Sequence, residues 1–259
     1  MCLLTCIKRT VPRFTEARAG TPYDAGCNTA FPPSPAAMPI RLLLVDDHAM
    51  MLDGLTALFA NAHDMDIVGQ ARDGRAAIAQ ATALQPDVVL MDISMPVLNG
   101  IEATPAIRAR VPTARVLLVS MYSSPDHLFR GLRAGASGYI LKESAGGEAI
   151  CAVRAVFAGR RYLGEGLREL EGIAGREMSR LSPLERLSAR EREVLQLVVE
   201  GHSSAEVAGL MKLSQKTVET YRSRLMGKLA VPDVTALVKF ALLHGLTPLD
   251  WQSNGGARN

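Results

Sequence analysis

Five side chains of this 259-residue chain have the types that phosphoryl chemistry around a hard cation needs: Asp46, Asp47, Asp92, Ser120 and Lys142. Three carboxylates gathered in one place repel one another and bind a divalent cation through oxygen, with Mg2+ the default in a cell. A hydroxyl and an ammonium beside them would receive the oxygens of a phosphoryl group. Asp92 is then a candidate nucleophile that becomes an acyl phosphate. Taken singly, each residue has a plainer reading. Asp92 could merely start a turn, and the others could form a solvated acidic rim with an unrelated lysine. All five, however, fall at equivalent points of a repeating pattern, and that combination favours chemistry.

The pattern alternates strand and helix. Apolar runs at Ile40–Val45, Met65–Gly69, Asp87–Met91, Arg115–Ser120 and Gly138–Lys142 read as strands, the third being rich in β-branched residues and buried on both faces. Helical spacing follows each of them: Met51, Leu55, Leu58 and Phe59, then Ala76–Leu84, Ile101–Arg110, His127–Ala134 and Gly147–Ala158. Five strands alternating with helices predict right-handed crossovers and a doubly wound α/β parallel sheet. In such a sheet the carboxyl ends of the strands share one edge, which brings the five side chains together.

The remaining sequence sets the bounds. No apolar run is long enough to span a bilayer, and Met1–Thr10 lacks the features of a signal peptide. Cys2, Cys6 and Cys27 lie in the first stretch and Cys151 lies alone. No pair has zinc-finger spacing, which argues against metal or disulfide roles and fits a reducing cytoplasm. The net charge of +3 divides unevenly. Residues 38–158 carry 10 Lys/Arg against 12 Asp/Glu, and residues 159–259 carry 15 against 12. The imbalance is small; it points to a cation or phosphoryl site in the first half and to nucleic acid in the second. Residues 1–37, proline-rich and aperiodic, read as a disordered extension. Met38 directly precedes the first strand, which makes it a candidate translation start; native peptides from Thr10–Phe31 in mass spectrometry would contradict that.

The motifs Leu44-Val45-Asp46-Asp47-His48, Met91-Asp92-Ile93-Ser94-Met95-Pro96, Asn99-Gly100, Val119-Ser120 and Gly135–Lys142 resemble the receiver domain of bacterial two-component response regulators. The resemblance implies a flavodoxin-like strand order 2-1-3-4-5 and phosphorylation of Asp92 by a sensor histidine kinase. It implies that Asp47, Asp92 and the backbone carbonyl of Ser94 hold Mg2+, with Asp46 acting partly through water. Ser120 would be the switch hydroxyl, Lys142 the phosphate-binding lysine and Tyr139 the aromatic switch residue. His48, beside the acids, reads as a rim residue rather than a ligand.

Residues 159–186, interrupted by glycines, read as a partly helical linker in which Leu167–Ile173 could make a turn or two. A second domain, 187–247, opens at Ser188 with Glu191 three residues on, a capping box. Ser203–Glu206 starts a second, shorter helix, and Ser214 looks like the cap of a third. On the third helix Val218, Tyr221, Leu225 and Leu229 face inward, Lys216, Glu219, Thr220 and Ser223 share another face, and Arg222, Arg224 and Lys228 flank it. A short helix, a tight turn and a basic-flanked polar helix form a helix-turn-helix arrangement. The basic flank would supply phosphate contacts and the polar face would read bases. A helical bundle with a solvated polar face is the plainer alternative. The closing helix, Asp233–His244, has an apolar face of Val234, Leu237, Val238, Ala241 and Leu242. Residues 248–259 read as a frayed tail.

The runs Leu187–Leu195, Glu200-Gly201 and Lys216–Leu229, which includes Thr217, resemble the LuxR-type DNA-binding domain. Together with the receiver they are similar to the NarL/FixJ family of response regulators. Tyr221, Phe157–Tyr162 and His244-Gly245 are similar to the branch of global regulators typified by GacA. Two departures weaken phosphate contacts: Ser204-Ala205-Glu206-Val207 lacks a lysine common in the family, and Gly227 falls where a basic residue is usual. The implied partners are a sensor histidine kinase, duplex DNA, a second copy of the phosphorylated chain and RNA polymerase, with no membrane. Two rivals concern the chemistry. An aspartyl phosphohydrolase needs a second acid two residues after the nucleophile, where this chain has Ser94, so no enzyme turnover of outside substrates is expected. A regulator working without phosphate does not need the intact acid set. The third rival, a receiver controlling a protein-interaction module without DNA binding, differs in lacking salt-sensitive duplex binding.

Overall fold

The computed structural model describes residues 38–121, 123–168, 183–244 and 246. The predicted extension 1–37, residues 169–182 of the linker with most of the expected Leu167–Ile173 turn, and the tail 247–259 lie outside the described residues.

The first part runs β1 (Ile40–Val45), α1 (Ala49–Ala60), β2 (Met65–Ala71), α2 (Gly74–Leu84), β3 (Val88–Asp92), α3 (Gly100–Arg110), β4 (Arg115–Ser120), α4 (Pro125–Ala134), β5 (Gly138–Leu141), α5 (Lys142–Phe157) and β6 (Tyr162–Leu163). Every strand pair is parallel, in the order β2-β1-β3-β4-β5-β6. Alternate residues of the central strands point to opposite faces. Leu43, Val89, Met91, Leu118 and Tyr139 pack under α2, α3 and α4. Leu42, Leu44, Leu90, Val119 and Ile140 pack under α1 and α5. With both faces covered, the strands read as continuous apolar runs, and each fully buried aliphatic contributes about 1.5–3 kcal/mol.

Three expectations need correction. The sheet has six strands rather than five. The sixth, at Tyr162–Leu163, falls inside the expected linker. Two residues are too short to carry a period, and the strand is set by Gly159, whose φ of +78 turns the chain back along β5. Second, α5 begins at Lys142, not Gly147. Gly146 and Gly147 thus fall inside the helix, and nothing lies within 4 Å of a side chain built on either. Glycine in a helix costs about 1 kcal/mol, and burial of Ala145, Ala149, Ala152, Val153 and Val156 outweighs it. Third, Cys151 is disulfide-bonded, so the argument from cysteine spacing fails there. Spacing in sequence does not say which side chains meet in space.

The second part is helical: a 3-10 turn (Pro183–Arg186), α6 (Ala189–Val199), α7 (Ser204–Met211), α8 (Gln215–Leu229) and α9 (Val234–Leu243). Ser188 with Glu191 and Ser203 with Glu206 each form a complete capping box. Ser214 accepts from the amide of Thr217. Val194, Leu197, Val207, Val218, Leu225, Leu237 and Ala241 form the core. Tyr221 and Leu229 are half-buried against it. Val234, expected on the buried face of α9, is exposed, as is Leu243.

Candidate functional site

The acidic cluster is assembled by strand ends. β1 runs into Asp46 and Asp47, β3 ends on Asp92, β4 ends on Ser120, and β5 hands directly to α5, whose first residue is Lys142. Carboxylate oxygens of Asp46, Asp47 and Asp92 and a ring nitrogen of His48 lie within 4.8 Å of one another. Asp92 is 1% exposed and Asp46 2% exposed. The Lys142 Nζ lies 2.8 Å from Asp46 Oδ2 and 2.9 Å from Asp92 Oδ2, bridging the two buried acids. Asp92 Oδ1 is buried and accepts no hydrogen bond.

Electrostatics follow from this crowding. Burial pushes the Asp92 carboxyl above its ordinary range, against the pull of Lys142 and with help from Asp46. Burial likewise raises Asp47. Burial pushes the Lys142 ammonium down, but Asp92 and Asp46 more than offset this and hold it above its usual value. At the start of α5 this cation sits at the positive end of the helix dipole, a placement only the two carboxylates make favourable. Tyr139 is buried, its phenol hydrogen-bonded to Ser120 and pushed upward in pKa by burial. Ser94 is buried two residues beyond Asp92. His48 is largely exposed, with Nδ1 2.9 Å from Asp47 Oδ1 and 3.2 Å from Asp46 Oδ1. It lies at the rim, within reach of both acids. Gly100, the first residue of α3, lies against the phosphoacceptor candidate itself: a Cβ there would lie 2.2 Å from the Asp92 carbonyl oxygen.

The donor set fits a hard cation. Three carboxylates converge, and one of the Asp92 oxygens is buried without a partner. Oxygen ligands of that kind suit Mg2+.

The second site lies on α8. Lys216, Glu219, Thr220, Ser223 and Arg224 are exposed along it, and Thr217 is half-buried with its hydroxyl 2.8 Å from Ser214 Oγ. Arg222 donates to Ser204 Oγ on α7 at 2.8 Å, tying the two helices of the turn together. Lys228 reaches back to Glu191 at 2.7 Å, so it braces α8 on α6. Hydrogen bonds from Lys228 and Ser188 hold the Glu191 carboxyl below its ordinary range despite the opposing effect of burial. Tyr221 belongs with the core rather than with the exposed face.

Residues 42–154 match the response regulator receiver domain, and residues 185–241 match the luxR family of bacterial regulatory proteins. The chain is 34% identical over 212 residues to the response regulator protein VraR of Staphylococcus saprophyticus, covering 81% of this chain and 99% of the relative. It is 35% identical over 207 residues to the transcriptional regulatory protein MctR of Rhizobium johnstonii, covering 80% and 95%. The chain belongs to the NarL/FixJ family of response regulators.

As a member of that family it is a DNA-binding transcription regulator, not an enzyme. Its fold is similar to RcsB, a response regulator of Salmonella typhimurium, with a TM-score of 0.58 at 25% identity over 82% of this chain and 100% of that one. It is also similar to RcsB from Salmonella enterica serovar Typhimurium bound to promoter rprA in the presence of the phosphomimetic BeF3−, with a TM-score of 0.56 at 25% identity, covering 78% and 98%. Among the described residues no helix is long and apolar enough to cross a membrane.

One part of this response regulator was not visible in its sequence: a joint between the two parts. The Gln196 side chain donates to the Met95 carbonyl at 2.7 Å and accepts from the Asn99 backbone and side-chain amides at 3.0 Å each. Glu200 accepts from the Val97 amide at 3.1 and 3.2 Å and from Gln196 at 2.8 Å. Val97 itself packs against the helical core. Ion pairs flank the joint: Arg192 to Glu102 at 2.6 Å, Arg133 to Glu185 at 2.6 Å, and Arg75 to Glu193. At its far side His127 Nε2 lies 2.9 Å from the His244 carbonyl. The only sequence signal was two polar residues spaced i,i+4, Gln196 on the apolar run of α6 and Glu200 at its C-cap.

Proposed function

We propose that this response regulator is switched by phosphorylation at Asp92 and that α8 reads DNA. What supports this is one arrangement: Lys142 bridging Asp46 and Asp92 while Asp92 Oδ1 stays buried without a partner. That oxygen is the nucleophile. It attacks the phosphorus of a phosphohistidine on a sensor kinase, the P–N bond breaks, and its electron pair returns to the imidazole. Lys142 receives one phosphoryl oxygen and Ser120 another, with Tyr139, already buried against Ser120, as the aromatic switch residue. Asp47, Asp92 and the Ser94 carbonyl would hold Mg2+, with Asp46 contributing from beside them. When bound, the ion supplies positive charge that offsets the developing phosphoryl charge. The phosphorylated site carries about −1.5 to −2 charge, which only one arrangement of the loops accommodates, and this biases a two-state receiver.

The division is a receiver over 38–158, a linker over 159–186 and a DNA-binding domain over 187–247. Lys216, Glu219, Thr220 and Ser223 face base edges and Arg224 serves the phosphates, while Arg222 and Lys228, tied to Ser204 and Glu191, and the half-buried Thr217 and Tyr221 position the helix. The phosphorylated chain pairs with a second copy on DNA and acts with RNA polymerase, in the cytoplasm. The test is phosphoryl transfer from acetyl phosphate with Mg2+. Wild type takes up label and Asp92→Asn does not; label retained on Asp92→Asn contradicts the assignment.

A further inference from the structure

His48 stands at the N-cap of α1. A Ser, Thr, Asp or Asn there would accept a helix amide, and His48 makes no such bond. Its ring lies instead against the acids. Nδ1 is 2.9 Å from Asp47 Oδ1 and 3.2 Å from Asp46 Oδ1. A ring nitrogen and one oxygen from each of Asp46, Asp47 and Asp92 all lie within 4.8 Å of one another. Lys142 takes up one oxygen of Asp46 and one of Asp92. Asp92, 1% exposed, keeps Oδ1 buried without a hydrogen-bond partner, and Asp47 Oδ1 is likewise buried without one. The cluster thus holds two carboxylate oxygens without donors and, beside them, an imidazole. With its proton on Nε2, that ring presents a lone pair at Nδ1. The His48 side chain is 58% exposed, so a rim position gives an ion its way in from solvent.

Carboxylates alone suit Mg2+, which takes oxygen ligands in a near-octahedral array and keeps several waters. A nitrogen changes the preference, because imidazole suits Zn2+ and its transition-metal neighbours. Zn2+ is satisfied by four ligands in a tetrahedron, and bonds of about 2.0 Å give that tetrahedron edges of roughly 3.3 Å. The separations of Nδ1 from the two acids are close to such an edge. We propose that Asp46, Asp47, His48 and Asp92 form a second-purpose site for a divalent transition ion of the Zn2+ type, with His48 the ligand that sets it apart from Mg2+. Four protein donors leave such an ion no open position. It also engages the Asp92 oxygen that attacks phosphorus, and so holds the receiver unphosphorylated. That consequence rests on Asp92 being the phosphoacceptor; the binding itself does not.

The test uses the untagged full chain, freed of metal, with Co2+ as a spectroscopic stand-in for Zn2+. Four-coordinate Co2+ absorbs visible light far more strongly than six-coordinate Co2+. Wild type is expected to develop the intense tetrahedral band as Co2+ is added, and Zn2+ to abolish it. His48→Gln should lose that band and bind Co2+ at least about tenfold more weakly, as loss of even an outer partner of a metal ligand does. The ratio of Zn2+ to Mg2+ affinity, from calorimetry, should fall by the same factor. Asp47→Ala should lose the band too, which distinguishes this cluster from cysteines elsewhere in the chain. In acetyl phosphate labelling with Mg2+ in excess, Zn2+ should suppress uptake by wild type, and His48→Gln should need at least about tenfold more Zn2+ for the same suppression. A wild-type spectrum of octahedral strength, or a tetrahedral band that survives in His48→Gln or Asp47→Ala, overturns the site. Labelling of wild type that bound Zn2+ leaves untouched overturns the block. Failure of the phosphoacceptor reading shows separately, as label retained on Asp92→Asn.

Discussion

At the scale of single residues, this regulator concentrates its electrostatic cost in two places. In the acidic cluster, Lys142 is the cation that makes burial of Asp46 and Asp92 tolerable. Breaking a buried pair from one side leaves an uncompensated charge. Lys142→Ala is therefore expected to lose about 3 kcal/mol in urea unfolding without divalent ions. Adding Mg2+ should recover most of that by binding the freed carboxylates; an unfolding midpoint insensitive to Mg2+ would refute this. The second place is Glu200, whose carboxyl burial holds at about 7 against an ordinary 4.5. A raised carboxyl favours docking while protonated. Its contribution is complete below pH 4.5, declines as pH rises and is lost above about 7. The full loss is about 3 kcal/mol. Burial lowers His127 and His244, so those residues weaken docking in acid instead. The difference between wild type and Glu200→Gln isolates the carboxyl: the radius of gyration should rise toward neutral pH in wild type, with that component absent from the variant. The five pocket residues were legible in sequence because each sits at a strand's end, where chain order fixes place. Gln196 and Glu200 were not, since a buried polar residue has no signature until its partner, 97 to 103 residues away, is known.

At the scale of elements, the strand and helix periods gave five of the sheet's strands and nearly every helix, and the family resemblance gave the order of those strands. The capping residues Ser188, Ser203 and Ser214 marked their starts to the residue. The misses came where packing overrides local preference. α5 runs through two glycines because its other face is buried. β6 exists because a sheet edge offered hydrogen bonds to a two-residue segment. The start of α3 shows the reverse, an element whose position depends on one atom. A side chain at residue 100 would strike the Asp92 carbonyl, a backbone group with nowhere to go. Gly100→Ala is expected to cost about 2 kcal/mol in thermal unfolding, as overpacking does, and to reduce phosphoryl uptake because the acceptor itself shifts. Wild-type stability and uptake in that variant would contradict the fit.

At the scale of the whole molecule, one sheet edge carries the acidic cluster proposed for phosphoryl transfer and one helix, α8, presents an exposed polar face flanked by Arg224. Between them lies a polar joint edged by ion pairs. Such a joint, partly exposed at its rim and built on charge pairs, suits reversible docking better than an apolar one would. The small charge asymmetry between the halves hinted at a division of labour, but the joint itself is a property of three-dimensional contact. In the proposed switch, occupation of one carboxylate changes how a distant helix meets DNA. The direct measurement is fluorescence anisotropy of a labelled duplex, selected by the phosphorylated chain from random sequence, at fixed salt. Treatment with acetyl phosphate and Mg2+ should tighten binding by on the order of tenfold in wild type and leave Asp92→Asn unchanged. Equal affinity before and after treatment in wild type, or the same gain in Asp92→Asn, would contradict it.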